Sequence, residues 1–459
     1  MNFHLISLGC DKNLVDSEVM LGLLSEAGHV LVADPAEAGI IVVNTCGFIA
    51  PAVREGIQTV FAAARQKEEG RCRALVVTGC MAERYKSEIL AEFPEVDAVV
   101  GAGGFREVLM AAENALEKRG GGFIQTDTAA RPDESLAAKR ILSGAGHFAY
   151  LKIAEGCDNR CTYCTIPSIR GPYRSRSMES LTAEAEALTR HGVKELILVA
   201  QDTARYGADI YGKSVLRELV RGLSKIGGIA WIRVLYAYPE NITPEFIREM
   251  AENPKLCHYL DMPVQHCDDG VLGRMGRRST SAGLKETISR LRREVPDICL
   301  RTTLITGFPG ETEEEYGRLL EFVRETRFDR LGVFAYSREN GTPAYALPGQ
   351  LDGRVKKRRR DGILRLQKGI SREINESFVG KTLTVIVDGT TDAPGAFPPA
   401  GTEPGAADGG KVCCGRSYRD SYEVDGTVFF SSGAELPSGE FADIEVTAAS
   451  EYDLMGRMV

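Results

Sequence analysis

The chain has 459 residues, 43% of them hydrophobic and 26% charged, with a formal net charge of −8. That balance suits about three domains with buried cores. It excludes long disorder and a globally basic nucleic-acid coat. No apolar run approaches the roughly 18 residues of a membrane span. The start, MNFHLISLGCDK, has no basic segment ahead of an apolar core, so a cytoplasmic location is expected, with no membrane partner. In a reducing cytosol the 12 cysteines read as thiols or metal ligands rather than disulfides.

In chain order, Phe3–Leu8, Gly39–Val43 and Ala74–Thr78 are short apolar runs rich in β-branched residues. Helical patterns at Val15–Ala27 and Pro51–Arg65 lie between them. This alternation predicts an α/β domain over 1–118 with a Rossmann-like parallel sheet. Glycine clusters, a proline and scattered charge mark a connection, with a linker at 119–142.

A second βα series spans 143–373, with strands expected at Phe148–Ile153, Glu195–Ala200, Trp231–Tyr236, Tyr259–Val264, Ile298–Ile305 and Arg330–Tyr336. Thr243-Pro244 and Thr312-Glu313-Glu314-Glu315 mark helix starts. Six βα units predict an open, partial (βα)6 barrel, with chemistry at the C-terminal ends of its strands. The last segment changes character. Leu383–Val387, Val412–Arg416, Val428–Phe430 and Phe441–Val446 read as strands of a small antiparallel β-barrel over 376–447. Within it, Ala393–Gly410 is rich in Pro, Gly and Ala and reads as a loop.

Cys157, Cys161 and Cys164, in EGCDNRCTYCTIP, follow the first strand of the barrel series. Their spacing puts three thiolates on one compact loop. Thiolates suit iron–sulfur clusters and zinc. A structural zinc site would want a fourth Cys or His close by, and the next is His191, inside an expected helix. Three ligands on a cubane leave one iron open for a substrate.

Cys10, Cys46 and Cys80 show no local spacing, but each follows an apolar strand: HLISLGC, IIVVNTC and LVVTGC. In a parallel sheet those strand ends share one edge. Each cysteine also neighbours a glycine, Gly9, Gly47 or Gly79, where backbone has room beside a bulky group. For any one of these cysteines a buried, inert thiol is the ordinary reading. Three at equivalent strand ends point to a second site.

The first triad resembles that of the radical S-adenosylmethionine (SAM) superfamily, and both triads with a C-terminal TRAM barrel resemble the methylthiotransferases. The resemblance covers nearly the whole chain. It implies two [4Fe–4S] clusters, one on Cys157, Cys161 and Cys164 that binds SAM, the other on Cys10, Cys46 and Cys80 that handles sulfur. It implies two SAM molecules per turnover: one methylates sulfur, the other generates a radical that opens a C–H bond. By position it also implies SAM contacts from Tyr163, Gln201 and Gly307. Core packing, a strand cap and a turn are the ordinary alternatives for those three.

The family modifies either an adenosine in transfer RNA or an aspartate β-carbon in small-subunit ribosomal protein twelve. SLGCDKNLVDSE, NTCGFI, TGCMAERY, AQDTARYG, YLDMPVQH, RLGVFAYSREN and GRSYRDSYEVDG resemble the second branch. Gly47 and Phe48 follow Cys46, where the transfer-RNA branch usually has Ser and Arg. Charge agrees: residues 380–446 hold four Lys or Arg against eleven Asp or Glu. Such a barrel would repel RNA and attract a basic ribosomal protein. A transfer-RNA enzyme and a non-catalytic iron–sulfur carrier are the alternatives. The electron donor is not legible, and a monomer is expected.

Lys356-Lys357-Arg358-Arg359-Arg360 reads as a solvated helix face, or as a contact for ribosomal RNA. Arg274, Arg277 and Arg278 read as a group for the substrate's acidic side chain. Of the other six cysteines, adjacent Cys413 and Cys414 read as ordinary barrel thiols.

Overall fold

The computed structural model describes residues 1–117, 122–124, 128, 139–391 and 411–459. The Ala393–Gly410 loop and much of the expected linker lie outside them.

The amino-terminal domain is one parallel sheet, ordered β2-β1-β3-β4-β5-β6. Its strands are β1 (Asn2–Ser7), β2 (Val30–Leu31), β3 (Ile40–Thr45), β4 (Ala74–Gly79), β5 (Ala98–Val100) and β6 (Phe123–Ile124). β3 and β4 are buried at every residue. Side chains alternate faces along a strand, so a continuous apolar run such as IIVV requires cover on both sides. Helices provide it: Ile41, Val43, Leu75 and Val77 pack on one face, Ile40, Val42, Ala74 and Val76 on the other. β6 corrects the linker assignment. Phe123 and Ile124 pair with Val99 and Val100, inside the stretch read as a connection. A two-residue strand is too short to show periodicity against its glycine-rich flank.

The central domain carries β7 (Phe148–Lys152), a short ribbon of β8 (Ala154–Glu155) and β9 (Arg174–Ser175), then β10 (Glu195–Val199), β11 (Trp231–Val234), β12 (Leu256–Asp261), β13 (Cys299–Thr306) and β14 (Arg330–Ala335). Six of these form an open parallel sheet, β14-β13-β12-β11-β10-β7. Both marked helix starts are observed. Thr243 accepts from Phe246 N ahead of Pro244, and Thr312 and Glu315 complete a capping box.

The last domain is a closed barrel, β15-β16-β17-β19-β18. Its strands are β15 (Thr382–Thr390), β16 (Lys411–Ser417), β17 (Val428–Ser432), β18 (Phe441–Ala449) and β19 (Leu454–Met458). β19 lies beyond the boundary expected at 447. It closes the barrel by pairing antiparallel with β18 and parallel with β17. Its sequence, LMGRM, carries little β-branched signal.

The barrel docks on the N-terminal ends of the central strands. Arg416 pairs with Glu195 at 2.6 Å, Arg330 with Asp420 at 2.6 Å, and Arg419 with Asp329 at 2.9 Å. Tyr259 donates to Asp425 at 2.6 Å, so the Tyr418–Asp425 loop plugs the bottom of the partial barrel. The opposite end faces the amino-terminal sheet. Among the described residues no helix is long and apolar enough to cross a membrane.

Candidate functional site: two cysteine triads facing one interface

β1, β3 and β4 are neighbours in register, so their C-terminal ends stand side by side. Cys10 caps the helix Asp11–Glu26, Cys46 follows β3, and Cys80 opens the helix Cys80–Tyr85. The three therefore gather at one edge, on one side of the interface. Two glycines permit it. At Gly9 (φ +97°) a Cβ would lie 2.8 Å from Cys46 Cβ, and at Gly47 one would lie 2.6 Å from Met81 N and 2.7 Å from the Cys80 carbonyl. Asn13 Nδ2 ties the edge together, donating to Leu8 O at 2.9 Å and Thr45 O at 3.0 Å. Burial pushes the Cys80 thiol up to about 11, against the pull of Arg170 beside it.

Cys157, Cys161 and Cys164 occupy the loop between β8 and β9. Cys164 N donates to Cys161 O at 3.1 Å, and Ile166 N reaches Cys164 Sγ at 3.4 Å. Burial raises Cys157 to about 11 and raises Cys164 further, in both cases with help from Cys161. Thiols held up by burial in this way become thiolates when a cationic group binds them. Among the described residues no three His, Cys, Asp or Glu side chains close around a single-ion site. A cubane, with one iron per thiolate, spreads its ligand sulfurs more widely than one ion does. The donor set fits such a group, and the glycines let the cysteine-bearing segments close on one another. All twelve cysteines are free; Cys413 is buried in the barrel and Cys414 half-buried.

The other expected residues border this loop. Tyr163 Oη and Gln201 Oε1 are buried without a hydrogen-bond partner, which leaves a donor and an acceptor open to a polar ligand. Gln201 Nε2 donates to Glu155 Oε1 at 2.8 Å. Gly307 ends β13 with φ +72°, its N–H on Glu311, and a Cβ there would meet Lys356.

The arginine group divides. Arg274 is engaged by Glu315 at 2.9 Å. Arg277 is buried over the Tyr238 ring, with Nε and Nη1 unpartnered, and lines a cavity of about 770 Å³ beside Cys161 and Arg278. Only Arg277 and Arg278 therefore line that cavity; Arg274 does not. The basic run at 356–360 is not one solvated face. Arg359 is buried against Glu311 at 2.8 Å, and Lys356 sits over the Tyr336 ring. Helical rotation turns Arg359 inward while Lys357 and Arg358 stay exposed.

The sequence reading missed the charged layer between the triads. Arg170 Nε and Nη2 lie 3.4 and 3.3 Å from Cys80 Sγ. Arg170 Nη1 pairs with Asp16 at 2.7 Å and Glu155 at 3.2 Å. Lys152 joins both carboxylates. Burial pushes Glu155 up, but Lys152 and Arg170 outweigh it and hold the carboxyl well below its ordinary range. The one available signal was the density of charge in apolar company: Lys152 ends a strand, and Asp16 interrupts a helical face. Tyr236 (φ +60°) and Gln265 (φ +68°), near the ends of β11 and β12, also hold left-handed backbone that bulky residues seldom adopt.

Three segments match known families. Residues 2–101 match the family described as Uncharacterized protein family UPF0004, 151–323 the Radical SAM superfamily, and 379–459 the TRAM domain. Among solved structures, the radical SAM methyltransferase TsrM from Kitasatospora setae superposes with a TM-score of 0.56 at 16% identity, over 87% of this chain and 82% of that one. That likeness concerns the fold. Fold and matches together define a radical SAM enzyme with a TRAM barrel. Curated relatives named ribosomal protein uS12 methylthiotransferase RimO are 49% identical in Acetivibrio thermocellus, over 99% of this chain and 98% of theirs, and 48% identical in Lachnoclostridium phytofermentans, over 99% of each. The relative of that name in Pelotomaculum thermopropionicum is 47% identical over 99% of this chain and 98% of its own. The chain belongs to the uS12 methylthiotransferase (RimO) family.

Proposed function

We propose that the chain inserts a methylthio group at the β-carbon of an aspartate in ribosomal protein uS12, using a [4Fe–4S] cluster on each cysteine triad and two SAM per turnover. The observation that carries this reading is the meeting of the two triads across one interface, with Arg170 of the radical SAM loop on Cys80 of the other set. When bound, the clusters and SAM supply the sulfur and the radical chemistry that opens a C–H bond.

The chain's own residues do the holding. Cys157, Cys161 and Cys164 would grip one cluster, and Cys10, Cys46 and Cys80 the other. Gln201 Oε1, unpartnered and beside Glu155, would accept from the SAM ammonium. Tyr163 and Gly307 would flank the adenine. Docking of the sheet on the open barrel end buries Cys80, Cys157 and Cys161, while Cys10 stays exposed.

The acidic barrel recruits the basic substrate protein. Its two interior arginines, Arg416 and Arg419, are buried against the central domain, so they do not offset exposed Glu423, Glu435, Glu440 and Asp443. Each triad is completed within one chain, which supports a monomer. The electron comes from an external one-electron reductant.

Anaerobic incubation with SAM, a reductant, uS12 and transfer RNA tests the reading. A mass gain of one methylthio group on a uS12 aspartate is expected, with about eight irons per chain. Modified adenosine beside unmodified uS12 would move the enzyme to the transfer-RNA branch. Absence of 5′-deoxyadenosine would leave an iron–sulfur carrier.

A further inference from the structure

Arg170 is 3% exposed and makes contacts with both halves of the site. On one side, two of its nitrogens fork onto Cys80 Sγ at 3.4 and 3.3 Å. On the other, Nη1 is shared between Asp16 Oδ2 at 2.7 Å and Glu155 Oε2 at 3.2 Å, and Glu155 Oε1 accepts from Gln201 at 2.8 Å. Cys80 and Gln201 are thus joined by one guanidinium and one carboxylate.

We propose that Arg170 is a positioning residue that couples the two cofactor sites, so that a cation seated against Gln201 changes the hydrogen bonding of Cys80. This coupling presupposes two loaded clusters, as proposed above. Glu155 divides its charge between Lys152 and Arg170. An ammonium at Gln201 Oε1 draws on the same carboxylate. Arg170 then carries less neutralised charge and donates more strongly to the Cys80 sulfur, in a buried setting where such changes are weakly screened. Stronger donation to a cluster ligand raises the cluster's reduction potential. Linkage requires the reciprocal effect: reduction of the amino-terminal cluster tightens SAM binding.

The test uses the reconstituted holoenzyme and the EPR signal of the amino-terminal cluster in a redox titration. SAM is expected to move that midpoint potential upward. SAM affinity is expected to rise about fivefold or more when the cluster is reduced. Arg170→Gln, with its iron content checked, is expected to bring that ratio to about onefold. Arg170→Lys keeps the charge but not the fork, and is expected to retain part of the shift. If Arg170→Gln loses the amino-terminal irons, Arg170→Lys carries the comparison. A wild-type cluster indifferent to SAM, or a variant that keeps the whole shift, overturns the coupling and leaves methylthio transfer standing. A protein that binds only one cluster overturns both readings.

Discussion

Arg84 Nη1 donates to Glu339 Oε2 at 2.9 Å, from the helix that begins with Cys80 to the loop after β14. Arg84 also reaches Gly47 O at 3.0 Å, and Glu339 Oε1 accepts from Ala50 N at 2.9 Å. The segment after Cys46 is thereby pinned to the last strand of the partial barrel. Arg170, at the end of the helix Ile166–Arg170, pins Cys80 to the segment that follows the first. These two clasps add to Lys152 on Asp16 and Tyr236 on Asp11 in holding the amino-terminal sheet against the central domain.

Glu339→Gln keeps the shape and removes the charge from a pair that is largely buried. A loss of about 1.5–3 kcal/mol is expected, read as a lower unfolding midpoint. Methylthio transfer is expected to fall more than SAM cleavage, because only the former needs both triads aligned. Equal loss of both products would show that the clasp serves stability alone.

The triads separate by product. Cys157→Ala is expected to abolish SAM cleavage. Cys46→Ala is expected to spare some cleavage and stop sulfur insertion. Each variant should retain about four irons per chain. Normal methylthio transfer by the Cys46 variant would refute the two-cluster reading.

Gly47→Ala probes the close approach behind the amino-terminal triad. The added methyl meets Met81 N at 2.6 Å and the Cys80 carbonyl at 2.7 Å, all backbone. The Cys80 helix has to shift, so iron is expected to be lost from that triad alone. Iron analysis with 5′-deoxyadenosine measurement checks it: cleavage stays, transfer goes.

His266 gives the fold an acid limit. Burial pushes it down to about 4, and Asp268 N donates to its Nδ1 at 3.0 Å, which keeps the ring neutral. The unfolded chain, with an ordinary value near 6.5, binds a proton there that the folded chain refuses. The stability is present above about pH 6.5 and is lost as pH falls toward about 4, by about 3 kcal/mol. Urea midpoints measured across that window are expected to fall in the wild type and to flatten in His266→Gln. Parallel profiles would mean that other groups set the limit.

The barrel's exposed acids are expected to act on affinity rather than chemistry. The barrel docks at the N-terminal strand ends, away from the cysteines, so Glu423, Glu435, Glu440 and Asp443 do not border the triads. Changing all four to Lys is expected to raise the KM for uS12 about tenfold or more. The effect should shrink in high salt, with kcat and uncoupled 5′-deoxyadenosine formation unchanged. An unchanged KM would remove the barrel from substrate recruitment.

Local pattern carried much of the architecture. β3 and β4 announced themselves as IIVV and LVV, and the capping box at Thr312 marked its helix to the residue. β6 and β19 did not, because Phe123–Ile124 is two residues long and LMGRM has no β-branched residue. The basic run at 356–360 misled because charge in sequence says nothing about rotation: Arg359 turns inward to Glu311.

The sequence by itself determined the two sets of cysteines. One set is fixed by its spacing within a single loop, and the other by each cysteine following an apolar strand of a parallel sheet, a topology in which strand ends share an edge. Only the tertiary structure decided what lies between them: Arg170 on Cys80, Asp16 with Lys152, and Arg84 on Glu339. Those partners stand far apart in the chain and follow no periodicity. Their pairing depends on how two separately folded sheets dock, and a buried charge finds its counter-charge only once that docking has removed both from water.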